Sequence, residues 1–206
     1  MHDHFTQFAR YNGWANRLLY TAAAQISDKQ YRRDVGLFFG SIHATLNHIL
    51  VADEIWMKRL NGTGDAPTSL DVILHDNFDE LLNARKAMDE RIIDYVNGLS
   101  DADYDGTFTY IPVTHPEPVT QARAPVLAHV FTHQTHHRGQ VHAALTHMGH
   151  DAPSLDLIYF QRGERLATEY RLAWNAFAGQ KAPMLHIEDL TFRMQGRLLI
   201  ENASIH

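Results

Sequence analysis

The chain has no cysteine, no long apolar run and no cluster of basic residues, and each absence removes a class of chemistry. Without cysteine there can be no disulfide, no thiolate metal ligand and no cysteine nucleophile. A membrane-spanning helix needs roughly 18–20 consecutive apolar residues, and no stretch approaches that, so no membrane partner is expected. Lys and Arg number 18 against 24 Asp and Glu, for a formal net charge of −6. The basic residues are scattered, whereas phosphate binding wants a patch, so nucleic acid is not an expected partner. The start, MHDHFTQFARYNGW, lacks a basic segment followed by an apolar one, and a cytoplasmic location is the expectation. No P-loop, dinucleotide-binding glycine fingerprint or Gly-x-Ser-x-Gly elbow is present.

What the chain does have is histidine, 15 in 206 residues. Five fall within fourteen positions, in the run HVFTHQTHHRGQVH: His129, His133, His136, His137 and His142. Neutral imidazole is a common transition-metal ligand. Steps of four from His129 to His133 to His137 stack neighbouring rings on one helix face.

Periodicity predicts four long helices: about His4 to Gln25, Gly40 to Leu60, Ser69 to Val96 and Pro125 to Met148. Asn61-Gly62-Thr63-Gly64 and Asn97-Gly98 supply stop signals. Residues Tyr104 to Pro125, with Thr107 to Ile111 and Val119 to Gln121 about a turn, read as a short hairpin or ordered loop. A fifth helical segment is expected over Leu155 to Phe177. Beyond Gly179 comes a tail, in which Met184 to Ile187 and Leu198 to Ile200 are candidate strands or docking segments. The expected class is all-α, a four-helix bundle with a short insertion before the fourth helix and a C-terminal extension. The expected domains are a metal-binding bundle, 1–178, and the tail, 179–206.

On the fourth helix the apolar stripe runs Val126, Val130, His133, His137, Val141, Ala144 and Met148. His133 and His137 thus occupy core positions, where an unpartnered imidazole costs about 1–3 kcal/mol. A shared metal meets that need for both, and this is the reading adopted. His129 drifts off the stripe and reads as structural. His136 reads as a supporting or exposed neighbour, and His142, His147 and His150 as surface residues. Arg138 points about 100° away from His137 and is expected in a structural ion pair. Gly139 suggests the close approach of a neighbouring element. The second helix offers a third ligand in His48, on the flank of its stripe, or Asp53, on the stripe itself; His2 and His4 are weaker options. The zinc-protease pattern His-Glu-x-x-His is absent, because residues 133–137 read His-Gln-Thr-His-His. No Glu stands three residues before a His, so the di-iron bundle signature is missing too.

At these residues the chain resembles the DinB/YfiT-like family of metal-dependent bundle proteins. The matches are Tyr11-Asn12-Gly13-Trp14-Ala15-Asn16, Thr45-Leu46-Asn47-His48-Ile49-Leu50, and His129 to His142 with its His-x-x-x-His-His-Arg-Gly-Gln core. They span roughly residues 4 to 177. The resemblance implies an up-down-down-up bundle, a homodimer, and a metal held by His48, His133 and His137. It also implies a small-molecule substrate and, from the wider superfamily, a low-molecular-weight thiol cosubstrate for S-transfer or isomerisation. Three neutral ligands would leave the full 2+ charge on the metal and acidify a bound water or thiol. Zinc or nickel suits imidazole best, with iron and manganese as alternatives. Asn47, Gln134, His136 and Gln140 are candidates to orient the ligands. The competing functions are a non-catalytic metal-binding stress-response protein and a metal-dependent hydrolase. Metal retention is expected to fall below about pH 6, as imidazole protonation competes with ligation.

Overall fold

The computed structural model describes residues 1–163 and the backbone of residues 187–194 and 197–205. Four long helices form the core: α1 (His2–Ala23), α3 (Ile42–Asn61), α4 (Phe78–Asn97) and α6 (Arg123–His147). Two short helices, α2 (Asp28–Arg32) and α5 (Asp101–Asp105), lie in the connections. The strands β1 (Thr107–Tyr110) and β2 (Val119–Ala122) form an antiparallel hairpin just before α6, with Tyr110 opposite Val119. The insertion expected there is therefore a hairpin.

The chain divides into two compact units, 1–157 and 158–206. In the second, β3 (Ile187–Met194) pairs antiparallel with β4 (Arg197–Ile205), so part of the expected tail is a hairpin. A helix that starts at 157 is described to 163. The remainder of the expected fifth helix, Met184 to His186, and the expected domain boundary near 178 lie outside the described residues.

In the bundle α1 packs against α4 and α6, and α3 packs against the same two helices. Residue pairs give the directions. Phe5 stacks near Phe131 and Asn12 meets Arg138, so α1 and α6 run parallel. Tyr20 near the end of α1 meets Phe78 at the start of α4, which makes that pair antiparallel. His43 lies by Asp76, Asp53 by Arg85, and Leu60 by Tyr95, so α3 and α4 are parallel. The arrangement is the expected up-down-down-up bundle.

The parallel pair explains where the sequence reading needs correction. A helix of 20 residues is about 30 Å long, so the chain leaving α3 must return along its length before α4 can start. Residues 62–77 make that crossover. The helix expected from Ser69 therefore begins only at Phe78, where the Asn77 side chain accepts hydrogen bonds from Asp79 and Glu80 N–H. Gly62, at φ 74°, ends α3 in the left-handed conformation that the Asn-Gly signal predicts. Val72 and Leu74 belong to the crossover, and Leu74 packs on the core from there.

The helix α6 is buried along two lines. One follows the expected stripe, with Val126, Val130, His137, Val141 and Ala144 buried but His133 and Met148 only half-buried. The other is Leu127, Phe131, Gln134, Arg138 and Leu145. On the first line His137 meets His48 of α3; on the second Phe131 and Arg138 meet α1, while Gln134 reaches across to Asp53 of α3.

Candidate metal centre

His48 on α3 and His133 and His137 on α6 meet at the α3–α6 interface. One ligand-type atom from each lies within 4.8 Å of the others, and among the described residues no carboxylate joins them. His133 Nε2 is 3.3 Å from His48 Nε2 and 3.2 Å from His137 Nε2. Antiparallel packing of the two helices brings the sites together, since His48 sits opposite the turn that carries the other two.

The opposite edge of each ring decides what the inner edge presents. His48 Nδ1 is 2.7 Å from the Leu70 carbonyl, which can only accept, so Nδ1 carries the hydrogen and Nε2 the lone pair. His137 Nδ1 donates to Gln140 Oε1 at 2.8 Å, while Gln140 Nε2 donates to His136 at 3.3 Å. His136 is exposed and meets the cluster both through Gln140 and edge-to-face against the His137 ring, with centroids 4.8 Å apart. The Leu70 acceptor is itself held. Asn47, fully buried, donates to the His75 carbonyl at 3.1 Å and accepts from His75 N–H at 3.0 Å, which ties the crossover to α3.

Burial keeps all three rings neutral. Desolvation, reinforced by the neighbouring imidazoles, pushes His133 down to about 3. Desolvation lowers His137 to about 4, with His48 and His136 adding to it against the raising effect of Gln140. His48 is lowered as well, again mainly by desolvation. A set of neutral imidazoles, two buried and His133 half-buried, fits a divalent transition metal, because no net charge has to be lost from the rings at neutral pH. The spacing fits too: zinc–nitrogen bonds of about 2.0–2.1 Å in tetrahedral geometry put nitrogens about 3.3–3.4 Å apart.

Aromatic rings flank the cluster. Phe39 stacks on His48, with centroids 3.8 Å apart and planes at 22°, and lies 5.7 Å from His137. It is held in a tight turn in which Gly40 N–H bonds the Leu37 carbonyl and Val35 N–H bonds the Gly40 carbonyl. Gly36 and Gly40 adopt φ of 76° and 79° there. Sequence reasoning missed Phe39; its signal was an aromatic pair bracketed by two glycines just ahead of the α3 cap. His129, expected to be structural, sits exposed against Trp56 at 5.3 Å and next to His133 at 5.7 Å.

The other candidates fall elsewhere. Asp53 is no neighbour of the three histidines: its Oδ2 accepts from Arg85 at 2.6 Å and from the Gln134 carboxamide. Arg85 also pairs with Asp89 at 3.0 Å. Asp89 accepts from Asn16 at 2.8 Å. Asn12 and Asn16 in turn accept from Arg138, which also reaches Gln134 at 3.4 Å. These residues close a ring of polar contacts through all four core helices. Arg138 is thus held by carboxamides rather than in the expected ion pair. Gly139 has open space around it instead of a close neighbour. His43 bonds the His75 carbonyl at 3.3 Å, and His2 lies 3.3 Å from the Tyr104 hydroxyl.

Among the described residues no helix is long and apolar enough to cross a membrane. A solved dinb-like protein from Bacillus cereus ATCC 10987 superposes with a TM-score of 0.56 at 12% identity, covering 71% of this chain and 94% of that one. A second, from Bacillus subtilis, gives 0.51 at 16% identity, covering 73% and 98%. In sequence, Protein DinB of Bacillus subtilis (strain 168) is 21% identical over 164 residues, or 76% of this chain and 92% of that protein. The model of the DinB family matches residues 1–173, most of the chain and every residue of the histidine cluster, so the chain belongs to the DinB family.

Proposed function

We propose that the protein is a metal-dependent enzyme in which His48, His133 and His137 hold one divalent transition metal through Nε2. The reaction we assign to it is transfer of a small thiol onto an electrophilic substrate. The observation that carries the reading is the convergence of three Nε2 atoms of neutral imidazoles, two of them left with a bare lone pair by a hydrogen bond at the opposite nitrogen. Zinc or nickel suits such a donor set best, with iron and manganese as alternatives. When bound, the metal supplies a Lewis-acid centre that acidifies a thiol or water.

The chain's own residues set the conditions. Leu70 and Gln140 orient two rings, Phe39 keeps water from the His48 side, and half-buried His133 marks the approach from solvent. In the transfer, sulfur bonds to the electrophilic carbon, the leaving group departs with its electron pair, and the thiol proton passes to water. The thiol must be a cosubstrate, because the chain has no cysteine. No carboxylate among the described residues joins the histidines, which ranks hydrolysis lower, since it would want a general base. Burial of His48 and His137 favours a second reading, a non-catalytic metal-binding protein in which the metal braces α3 against α6. A cytoplasmic homodimer is the working form we propose, on family grounds.

Metal analysis of untagged wild type against His137→Ala tests the site. We expect about one divalent metal per wild-type chain and loss in the variant; equal content would sink the reading. A panel of small thiols with a chlorinated or epoxide aromatic then tests catalysis. Absence of turnover by the metal-loaded protein would favour the bracing role.

A further inference from the structure

A cavity of about 240 Å³ lies one helical turn from the cluster, lined by Trp56, Tyr110, Gln121, Pro125, Val126 and His129. It forms where the β1–β2 hairpin meets α3 and the start of α6. Trp56 stands edge-to-face with both Tyr110, at 5.2 Å, and His129, at 5.3 Å. The His129 ring in turn neighbours His133, so the cavity and the cluster share a wall.

The polar groups around it offer donors and positive charge. Tyr110 donates to Gln121 Oε1 at 2.7 Å, which fixes that carboxamide and leaves its NH2 without a protein partner among the described residues. The ring nitrogens of His129 have none there either. Among the described residues no acidic side chain lines the cavity. Behind it the Arg59 guanidinium lies 4.6 Å from the Trp56 ring centre and 4.5 Å from that of Tyr110. Its hydrogen bond goes to the Ile111 carbonyl at 3.2 Å, and no carboxylate among the described residues pairs with it. A half-buried cation without a counter-ion raises the local potential and draws anions. It also occupies ring faces that a cationic ligand would need. The volume is below the roughly 300–1,000 Å³ typical of sites for drug-sized molecules, which suits a single ring.

We propose that this cavity is a binding subsite for a small planar oxyanion, an aromatic carboxylate, with its ring against Trp56 and Tyr110 and its oxygens toward Gln121 and His129. That this ligand is the substrate rests on the metal-dependent reading above; that it binds does not. The probe is benzoate, titrated by calorimetry into full-length protein, both metal-stripped and metal-loaded, with benzylamine as the opposite-charge control. Benzoate should bind in both forms, and benzylamine about tenfold more weakly or worse. Trp56→Leu and Gln121→Leu should each weaken benzoate about tenfold, and Arg59→Gln about threefold, with metal content unchanged. Gln121 is exposed, so its variant keeps the test alive if Trp56→Leu does not fold. His137→Ala should lose metal yet bind benzoate about as well as the stripped wild type.

Absence of benzoate binding, equal binding of benzylamine, or unchanged affinity in Gln121→Leu would each overturn the proposal. So would binding that vanishes in His137→Ala and ignores Trp56→Leu, since the carboxylate would then sit on the metal. Benzoate binding without metal retention would leave the pocket standing and remove the metal reading; metal without benzoate would do the reverse.

Discussion

Two buried polar assemblies lie side by side in this bundle, and they are built on opposite principles. In the ring through Asn12, Asn16, Asp53, Arg85, Asp89, Gln134 and Arg138, donors meet acceptors and two guanidiniums balance two carboxylates. In the cluster of His48, His133 and His137, three imidazoles turn Nε2 toward one another, two of them as fixed lone pairs, and among the described residues no carboxylate joins them. The assemblies touch in sequence, Gln134 beside His133 and Arg138 beside His137. A buried polar group is costly unless it is satisfied. The ring is mostly answered from within, with only Arg85 Nε and Arg138 Nε and the Arg85 Nη2 that pairs ionically with Asp89 lacking a hydrogen bond among the described residues, and its work is to join the four helices. The cluster needs something from outside, and a cation fits.

Breaking the ring should cost the most stability and spare the cluster. Arg85→Ala leaves buried Asp53 and half-buried Asp89 without their cation, and should destabilise by about 3–5 kcal/mol in chemical denaturation. Metal content below the melting transition should match wild type. If it falls with Arg85, the two assemblies are one site and the contrast fails.

Acid sharpens the contrast next. Burial pushes the Asp53 carboxyl from its ordinary 3.8 up to about 6, even with Arg85 beside it. The folded state then holds that proton more tightly than the unfolded one. The stability tied to it is present in full below about pH 3.8 and lost as pH rises through 6. Asp53→Asn has no such proton. The gap between wild type and variant should therefore widen from pH 7 to pH 4, by up to about 3 kcal/mol. A gap that stays constant would mean that Arg85 keeps Asp53 ionised throughout.

The two assemblies were unequally legible in the sequence. His133 and His137 stood out because steps of four and three placed them on a stripe that should have been apolar. His48 did not, because its role depends on which face of α3 turns toward α6, a matter of packing that periodicity on one helix cannot express. Asp53 was on its stripe and looked like a ligand; its partner Arg85 sat among ordinary helix charges 32 positions away. The crossover was misread as helix because Leu74 stands four residues before Phe78 and so seems to extend the α4 stripe, while the parallel α3–α4 pair forces those residues to stay extended enough to return. Asn12, Asn16, Gln134 and Arg138, which stood in the sequence only as parts of motifs, find their physical meaning in the ring. Phe39 carries no periodic signal at all.

Metal addition should separate the assemblies by about 2.7 kcal/mol. Zinc at about 100 times its dissociation constant should stabilise wild type by that amount, and Arg85→Ala equally, but neither His133→Ala nor His137→Ala. Stabilisation of His137→Ala would place the metal elsewhere. The metal-free protein should lose stability as pH falls below 6.5, because His133 and His137 resist the protons that the unfolded chain accepts. For the same reason proton competition at the folded site should begin below pH 5, lower than unperturbed imidazole would suggest.

Two glutamines on α6 offer the finest test, since the side chain is the same and only its neighbours differ. Gln140 accepts the Nδ1 hydrogen of His137 and so fixes which nitrogen faces inward. Gln140→Ala should weaken metal binding about tenfold, or about 1.4 kcal/mol, while shifting metal-free stability by less than about 0.5 kcal/mol. Gln140→Glu, a stronger acceptor, should restore or tighten binding. Gln134 is fully buried and bridges Asp53 to Arg138. Gln134→Ala should cost about 1–3 kcal/mol of stability and leave metal affinity within about threefold. If both variants lose metal and stability together, the ring and the cluster act as one network, because two separate assemblies should each respond only to their own glutamine.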